Sequence, residues 1–156
     1  EGQGFKNAMG VLNLNRPTVA AAAIGIAQAS LDASLGYAKD RVQFGRPIAE
    51  FQMVQGMLAD MAIQIEAARA LLYKVTALID SDPNNPKVPM MSSMVKTFAS
   101  DMAMKVTTDA VQVFGGAGYL QDHPVERYMR DAKVCQIYEG TNQIQRLIIA
   151  RSMIKQ

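Results

Sequence analysis

From residue 48 to residue 82 the chain contains no proline and a single glycine, Gly56, and its apolar side chains fall on a strict rhythm. Val54, Leu58, Met61, Ile65, Ala68, Leu72 and Val75 are separated by alternating steps of four and three. That spacing puts all seven on one stripe of a helix and suits shallow-angle packing against other helices. A segment this long and this regular has no use in a sheet. It therefore predicts a long helix over 48–82, closed by the loop Asp82-Pro83-Asn84-Asn85-Pro86, which is turn chemistry throughout.

The flanking segments read the same way. Residues 15–43 predict a first helix, with Pro17 in its first turn, where no internal N–H bond is lost. Its early half is rich in small residues, Ala20, Ala23, Gly25, Ala27 and Ala29 among them, which allow close helix approach. Residues 41–47 form the break. A third helix is expected over 89–114, with Val95, Ala99, Met102, Val106, Ala110 and Val113 as its buried stripe, ended by the glycine turn at Gly115. A short helix over 124–132 follows. A last helix begins after Thr141 as N-cap and carries Ile144, Leu147, Ile148 and Ile154 on one side. Aromatic residues make up only 6% and no Asn-Gly hairpin signal occurs. The expectation is an all-α fold, a four-helix up-and-down type of bundle with short additional helices.

Bulk properties narrow the function classes. The 156 residues suit one domain. A net charge of +2, from 16 basic and 14 acidic residues, does not favour nucleic acid or a membrane surface as partner. The single cysteine, Cys135, excludes an internal disulfide and a multi-cysteine zinc site and reads as a small buried apolar residue. The longest uncharged run, residues 17–31, falls short of the roughly 20 apolar residues of a spanning helix, so no membrane insertion is expected. The start, Glu1-Gly2-Gln3-Gly4-Phe5, lacks the basic and apolar regions of a signal peptide and reads as the middle of a longer protein.

Few residues are candidates for chemistry. A lone glutamate is usually a solvated surface charge, but Glu139 stands between Tyr138 and Gly140 at the mouth of a helix. Apolar Ile137, Tyr138 and Ile144 would desolvate it and make it a better base near neutrality. Gly140 would let a ligand approach the backbone, and free N–H groups at the helix start could bind an electron-rich oxygen. The run Gly115-Gly116-Ala117-Gly118 follows a helix rather than a strand, so it is no dinucleotide fingerprint; it is a helix terminator that could also admit a cofactor. In Arg41-Val42-Gln43-Phe44-Gly45-Arg46, arginine could grip phosphate and Phe44 could cover an aromatic ring, although a plain charged turn reads equally well. The 11 methionines are read as core filler. Residues 126–131 are read as a salt-bridged helix surface. His123 is the only histidine, so a histidine-based metal site or a Ser/His/Asp triad finds little support.

Taken in order, five segments resemble the C-terminal half of the acyl-CoA dehydrogenases. They are Arg16-Pro17 before an alanine-rich helix; Tyr37-Ala38-Lys39-Asp40-Arg41-Val42-Gln43-Phe44-Gly45; Asp109 through the glycine turn to Tyr119; Pro124-Val125-Glu126-Arg127-Tyr128-Met129-Arg130-Asp131-Ala132-Lys133; and Ile137-Tyr138-Glu139-Gly140-Thr141. The resemblance covers nearly the whole chain. It implies an FAD enzyme that converts an acyl-CoA thioester to the trans-2-enoyl-CoA. Glu139 would remove the proton next to the carbonyl while a hydride passes to flavin N5. The backbone N–H of Glu139 and a flavin hydroxyl would stabilise the enolate-like charge. Some relatives carry the base on the first helix, at the position of Asn15 here, which is no carboxylate. Arg16 would support the base. Arg41, Phe44, Gln112, Gly115, Gly116, Thr141 and Gln143 would touch FAD, and Tyr138 and Gly140 would line the acyl pocket. An electron-transferring flavoprotein as electron acceptor, a homodimer or homotetramer, and a bacterial cytoplasm or mitochondrial matrix are implied as well. The family's N-terminal helical and β domains lie outside residues 1–156, so the isolated chain is expected to fold but to be inactive or weakly active. A non-catalytic bundle for cofactor binding or oligomerisation is the alternative, and a related flavin oxidase or monooxygenase a third reading, against which the intact Tyr-Glu-Gly-Thr run argues.

Overall fold

A computed structural model describes residues 2–154. Five α-helices carry the described part of the chain: α1 Gly4–Asp40, α2 Gln52–Ser81, α3 Val88–Phe114, α4 Val125–Cys135 and α5 Asn142–Ile154. The fold is all-α, with one two-residue hairpin, β1 Val42–Gln43 and β2 Arg46–Pro47, between α1 and α2. Short 3₁₀ turns over Ile48–Glu50 and Gly115–Tyr119 complete the connections. The helix α3 is the axis of the bundle, since each of the other four packs on it, and α1 and α2 also pack on each other.

The stripes read from the sequence become the core. Met61, Ile65, Ala68, Leu72 and Val75 of α2 are buried, while Val54 and Leu58 at the head of the stripe are half-buried. All six expected positions of α3 are buried. From α1, Val19, Ala20, Ala23, Ile24, Ala27 and Leu31 meet them. Several buried hydroxyls on these faces are satisfied within their own helices, as Ser30 donates to the Ile26 carbonyl and Thr107 to that of Ala103, whereas those of Ser92 and Thr97 have no partner. By length and composition alone, Asn7–Asp40 is long and apolar enough to cross a bilayer; in the bundle one face of it is core.

The structure corrects several boundaries. Helix α1 starts at Gly4, so Pro17 sits inside it instead of in its first turn. Residues 5–15 hold no proline and are mostly tolerant of helix, so nothing forces a start at Asn15. It ends at Asp40, because Arg41 turns extended and the next residues pair as the hairpin. Phe44 (φ 53°) and Gly45 (φ 82°) are both left-handed, the requirement of a tight two-residue hairpin turn, met here without the usual Asn-Gly. The second helix splits, with Phe51 extended between the 3₁₀ turn and α2. Helix α4 continues to Cys135. The methionines divide: Met61 and Met102 are core, Met53 and Met153 face solvent.

Helix α5 does not bury its apolar side: Ile144, Leu147 and Ile154 are exposed and Ile148 is half-buried, while the buried residues are Asn142 and Gln145. This helix docks on α3 through polar groups that serve the preceding loop, so the apolar pattern does not report its buried face.

Helix α3 stops at Gly115 (φ 61°), and the glycine turn folds back on it. A Cβ on Gly118 would stand 2.7 Å from Phe114 Cβ and 2.8 Å from the Val111 carbonyl oxygen. Backbone cannot yield as a flexible side chain does. Gly118→Ala is therefore expected to cost about 1–3 kcal/mol in urea unfolding. Gly116→Ala, with nothing within 4 Å of its Cβ, should stay within about 0.5 kcal/mol. Equal effects at the two positions would refute this packing.

Candidate functional site

Two clefts hold Arg41, Gly115, Gly116, Tyr138 and Glu139 of the singled-out residues. The first lies where the end of α1, the hairpin and the glycine turn meet. Tyr37, Arg41, Gln43, Ile48, Val113, Phe114, Gly115, Gly116 and Ala117 line about 430 Å³ there. Tyr37 stacks on Phe114 with ring centroids 4.0 Å apart, and His123 packs against both rings. His123 is thus a half-buried aromatic neighbour, not a free loop residue. Arg41 is exposed, and built Cβ atoms on Gly115 and Gly116 meet nothing within 4 Å. A bare glycine backbone beside a guanidinium and aromatic rings fits a phosphate-bearing aromatic cofactor. Of the residues expected to touch FAD, Arg41, Gly115 and Gly116 line this cleft.

The other expected cofactor residues are not gathered into this cleft. Phe44 is 93% exposed at the hairpin tip, its ring edge-on to Phe51 at 6.1 Å instead of over another surface. Gln112 is exposed on the last turn of α3. Thr141 and Gln143 open α5, where Thr141 Oγ1 accepts from the Ile144 N–H at 3.4 Å, the cap expected from sequence. Tyr37, Gln43 and Ile48 complete the lining. Position inside an already singled-out segment hinted at Tyr37 and Gln43, and nothing hinted at Ile48.

The second cleft, about 330 Å³, lies between α1 and the loop joining α4 to α5, lined by Asn15, Thr18, Val19, Ala22, Tyr138 and Glu139. Asn15 and Glu139 thus share one cavity. Glu139 is half-buried and left-handed, with φ 57°, and Gly140 follows at φ 88°. One carboxylate oxygen, Oε2, is buried without a partner. The expected source of desolvation is not the real one: Ile137, Tyr138 and Ile144 are all exposed, and the enclosure comes with α1 across the cleft.

Arg16, 2% exposed, is buried within electrostatic reach of Glu139. Its Nη1 donates to Asn13 Oδ1 at 2.6 Å and to Ser93 Oγ at 3.3 Å, while its Nε is buried and unpaired. Burial pushes the Arg16 pKa down, and the Glu139 carboxylate pushes back. Tyr138 Oη lies 3.6 Å from Cys135 Sγ. That hydrogen bond, with burial, pushes the phenol up to about 12, so Tyr138 stays neutral beside the carboxylate. Cys135 is buried as expected. Arg130 and Glu126 pair on the exposed face of α4, the salt-bridged surface read from the sequence.

Sequence reasoning missed the underside of the loop. Lys96 and Gln145, both fully buried, donate to the carbonyls of Glu139 and Gly140. A signal existed for Lys96: it sits among Ser92, Val95, Ala99 and Ser100, on what is otherwise the buried face of α3.

Comparison with known proteins comes down on the same family. The profile described as "Acyl-CoA dehydrogenase, C-terminal domain" matches residues 2–154. The acyl-CoA dehydrogenase of Bacillus subtilis is 54% identical over 154 residues, 99% of this chain and 40% of that protein. Butyryl-CoA dehydrogenase from Megasphaera elsdenii superposes with a TM-score of 0.93 at 49% identity, covering 99% of this chain and 39% of the other. A chain from structural work on the electron transferring flavoprotein of Acidaminococcus fermentans superposes at 0.94 with 52% identity, covering 100% and 40%. The chain spans about 40% of the length of the curated relatives it matches.

Proposed function

This chain belongs to the acyl-CoA dehydrogenase family, and we propose that it supplies the base and part of the FAD site of an enzyme that introduces a double bond next to an acyl-CoA carbonyl. The observation that carries the reading is the second cleft: a half-buried carboxylate with one unpartnered buried oxygen, facing α1 and backed by a buried arginine. A carboxylate so placed is spared solvation on one oxygen, and it is poised to take a proton from carbon rather than from water.

In this reading the Glu139 carboxylate would accept the proton of the carbon beside the thioester carbonyl, and FAD, when bound, would supply the hydride acceptor. Arg16 stands behind the carboxylate as a buried cation. The Glu139 backbone N–H donates to the thioester oxygen as negative charge gathers there. Tyr138 and Gly140 flank the acyl group. Arg41, Phe44, Gln112, Gly115, Gly116, Thr141 and Gln143 would hold FAD, some of them through a neighbouring subunit. The exposed apolar side of α5, with Ile144, Leu147 and Ile154, supports subunit association into a homodimer or homotetramer. An electron-transferring flavoprotein would take the electrons onward, in a bacterial cytoplasm or mitochondrial matrix.

The test is anaerobic mixing of the full-length, FAD-loaded protein with straight, branched and cyclic acyl-CoA thioesters. Flavin absorbance is expected to bleach with at least one of them and not with the corresponding free acids. Bleaching by none of the thioesters would overturn the reading.

A further inference from the structure

We propose that Lys96 and Gln145 are positioning residues that clamp the Glu139–Gly140 turn from below and so aim the Glu139 carboxylate into its cleft; this rests on Glu139 being the base.

The turn holds two successive left-handed residues, and the first is not glycine. A glutamate in that conformation is strained and persists only where its surroundings over-determine it. Here they do so at the two carbonyls. Gln145 Nε2 donates to Glu139 O at 3.1 Å and to Gly140 O at 3.0 Å, and Lys96 Nζ donates to Gly140 O at 3.0 Å. The two donors come from different helices, α5 and α3, and both are 0% exposed. A Cβ on Gly140 would stand 2.6 Å from Gln145 Nε2, so the clamp also requires the glycine.

The lysine is itself fixed. Its ammonium donates to Asn142 Oδ1 at 2.7 Å, and Asn142 Nδ2 donates to Ser100 Oγ and to Asp101 Oδ1, both at 2.8 Å. Asp101 Oδ1 also receives Gln136 Nε2 at 2.7 Å, from the other end of the loop. Both ends of the loop are thereby tied to α3, and Lys96 reaches its middle. Burying an ammonium is costly, and burial pushes Lys96 down to about 8. An apolar side chain would fill the same space without that cost but would leave the Gly140 carbonyl and Asn142 Oδ1 without their donor. The lysine makes sense as a donor to the turn. Turn and side chain are coupled: if the Gly140 carbonyl rotates away, Glu139 leaves the left-handed region and its carboxylate leaves the cleft it shares with Asn15 and Val19. A misplacement of about 1 Å at a reacting group can lower a rate about 100-fold.

The experiment uses the full-length FAD-loaded protein with Lys96→Met, Gln145→Met and Glu139→Gln, an acyl-CoA that bleaches the wild type, and amide hydrogen exchange. Lys96→Met is expected to lower the flavin-reduction rate at saturating acyl-CoA about 10- to 100-fold. Acyl-CoA affinity should remain within about threefold. Exchange at residues 137–141 should quicken, with α2 unchanged. If Lys96→Met does not fold, Gln145→Met carries the same expectations without altering a charge. A reduction rate within about twofold of wild type overturns the proposal, and so does an affinity loss equal to the rate loss, which marks a merely structural role. Should Glu139→Gln reduce flavin at the full rate, the base reading falls instead. The clamp is then decided by exchange alone: quickened exchange at 137–141 supports it and unchanged exchange overturns it.

Discussion

Glu139→Gln in the full-length protein should slow flavin reduction by acyl-CoA about 10²–10⁴-fold while leaving FAD content and acyl-CoA affinity nearly unchanged. The substitution keeps the shape and removes only the ability to take a proton. The left-handed backbone at residue 139 is strained for glutamate and glutamine alike, so the turn has no new reason to move. Its clamp, made of hydrogen bonds to main-chain carbonyls, does not involve the replaced group. Among the described residues no other carboxylate lines this cleft; position 15, across it on α1, is asparagine. Stopped-flow measurement at saturating substrate separates the chemical step from binding. A rate within about tenfold of wild type would remove Glu139 as the base.

Arg16→Ala should cost this chain about 3 kcal/mol in urea unfolding and also impair reduction in the full-length enzyme. The guanidinium is enclosed between α1 and α3, bonded to Asn13 Oδ1 and Ser93 Oγ. Truncation opens a cavity, frees two polar partners, and leaves the buried oxygen of Glu139 without its neighbouring cation. Arg16→Met separates these effects. It restores most of the volume, so its stability loss should be clearly smaller than that of Arg16→Ala. Its reduction rate should stay as low, since the charge is still missing. If Arg16→Met restores the rate, the arginine acts by packing and its electrostatic role is refuted.

How much could be read beforehand depended on what kind of order each element carries. The stripes of α2 and α3 were legible because both helices bury apolar side chains at a helical period along most of their length. Helix α5 was not, because Asn142 and Gln145 are buried to serve the loop before it, leaving Ile144 and Leu147 outside. The hairpin was missed because Phe44 takes a left-handed conformation that its residue type does not advertise. For Glu139 the location was legible and the environment was not: its neighbours in sequence face solvent, and its enclosure is made by residues of α1 more than a hundred positions away.

The sequence by itself determined that the chain is a helical bundle, which stripes fill its core, and that Tyr-Glu-Gly-Thr carries the candidate base. Tertiary structure alone decided that Lys96 and Gln145 converge on the turn at Glu139. Helical periodicity records which face of a segment avoids water, and so it can be read within a few turns. It does not record which hydrogen-bond donor will meet which carbonyl across the bundle. Lys96 and Gly140 are 44 residues apart, and their bond exists only because α3 and α5 pack with the intervening loop pinned between them. The left-handed turn that aims Glu139 is held by such bonds, and they are available only once the bundle has closed.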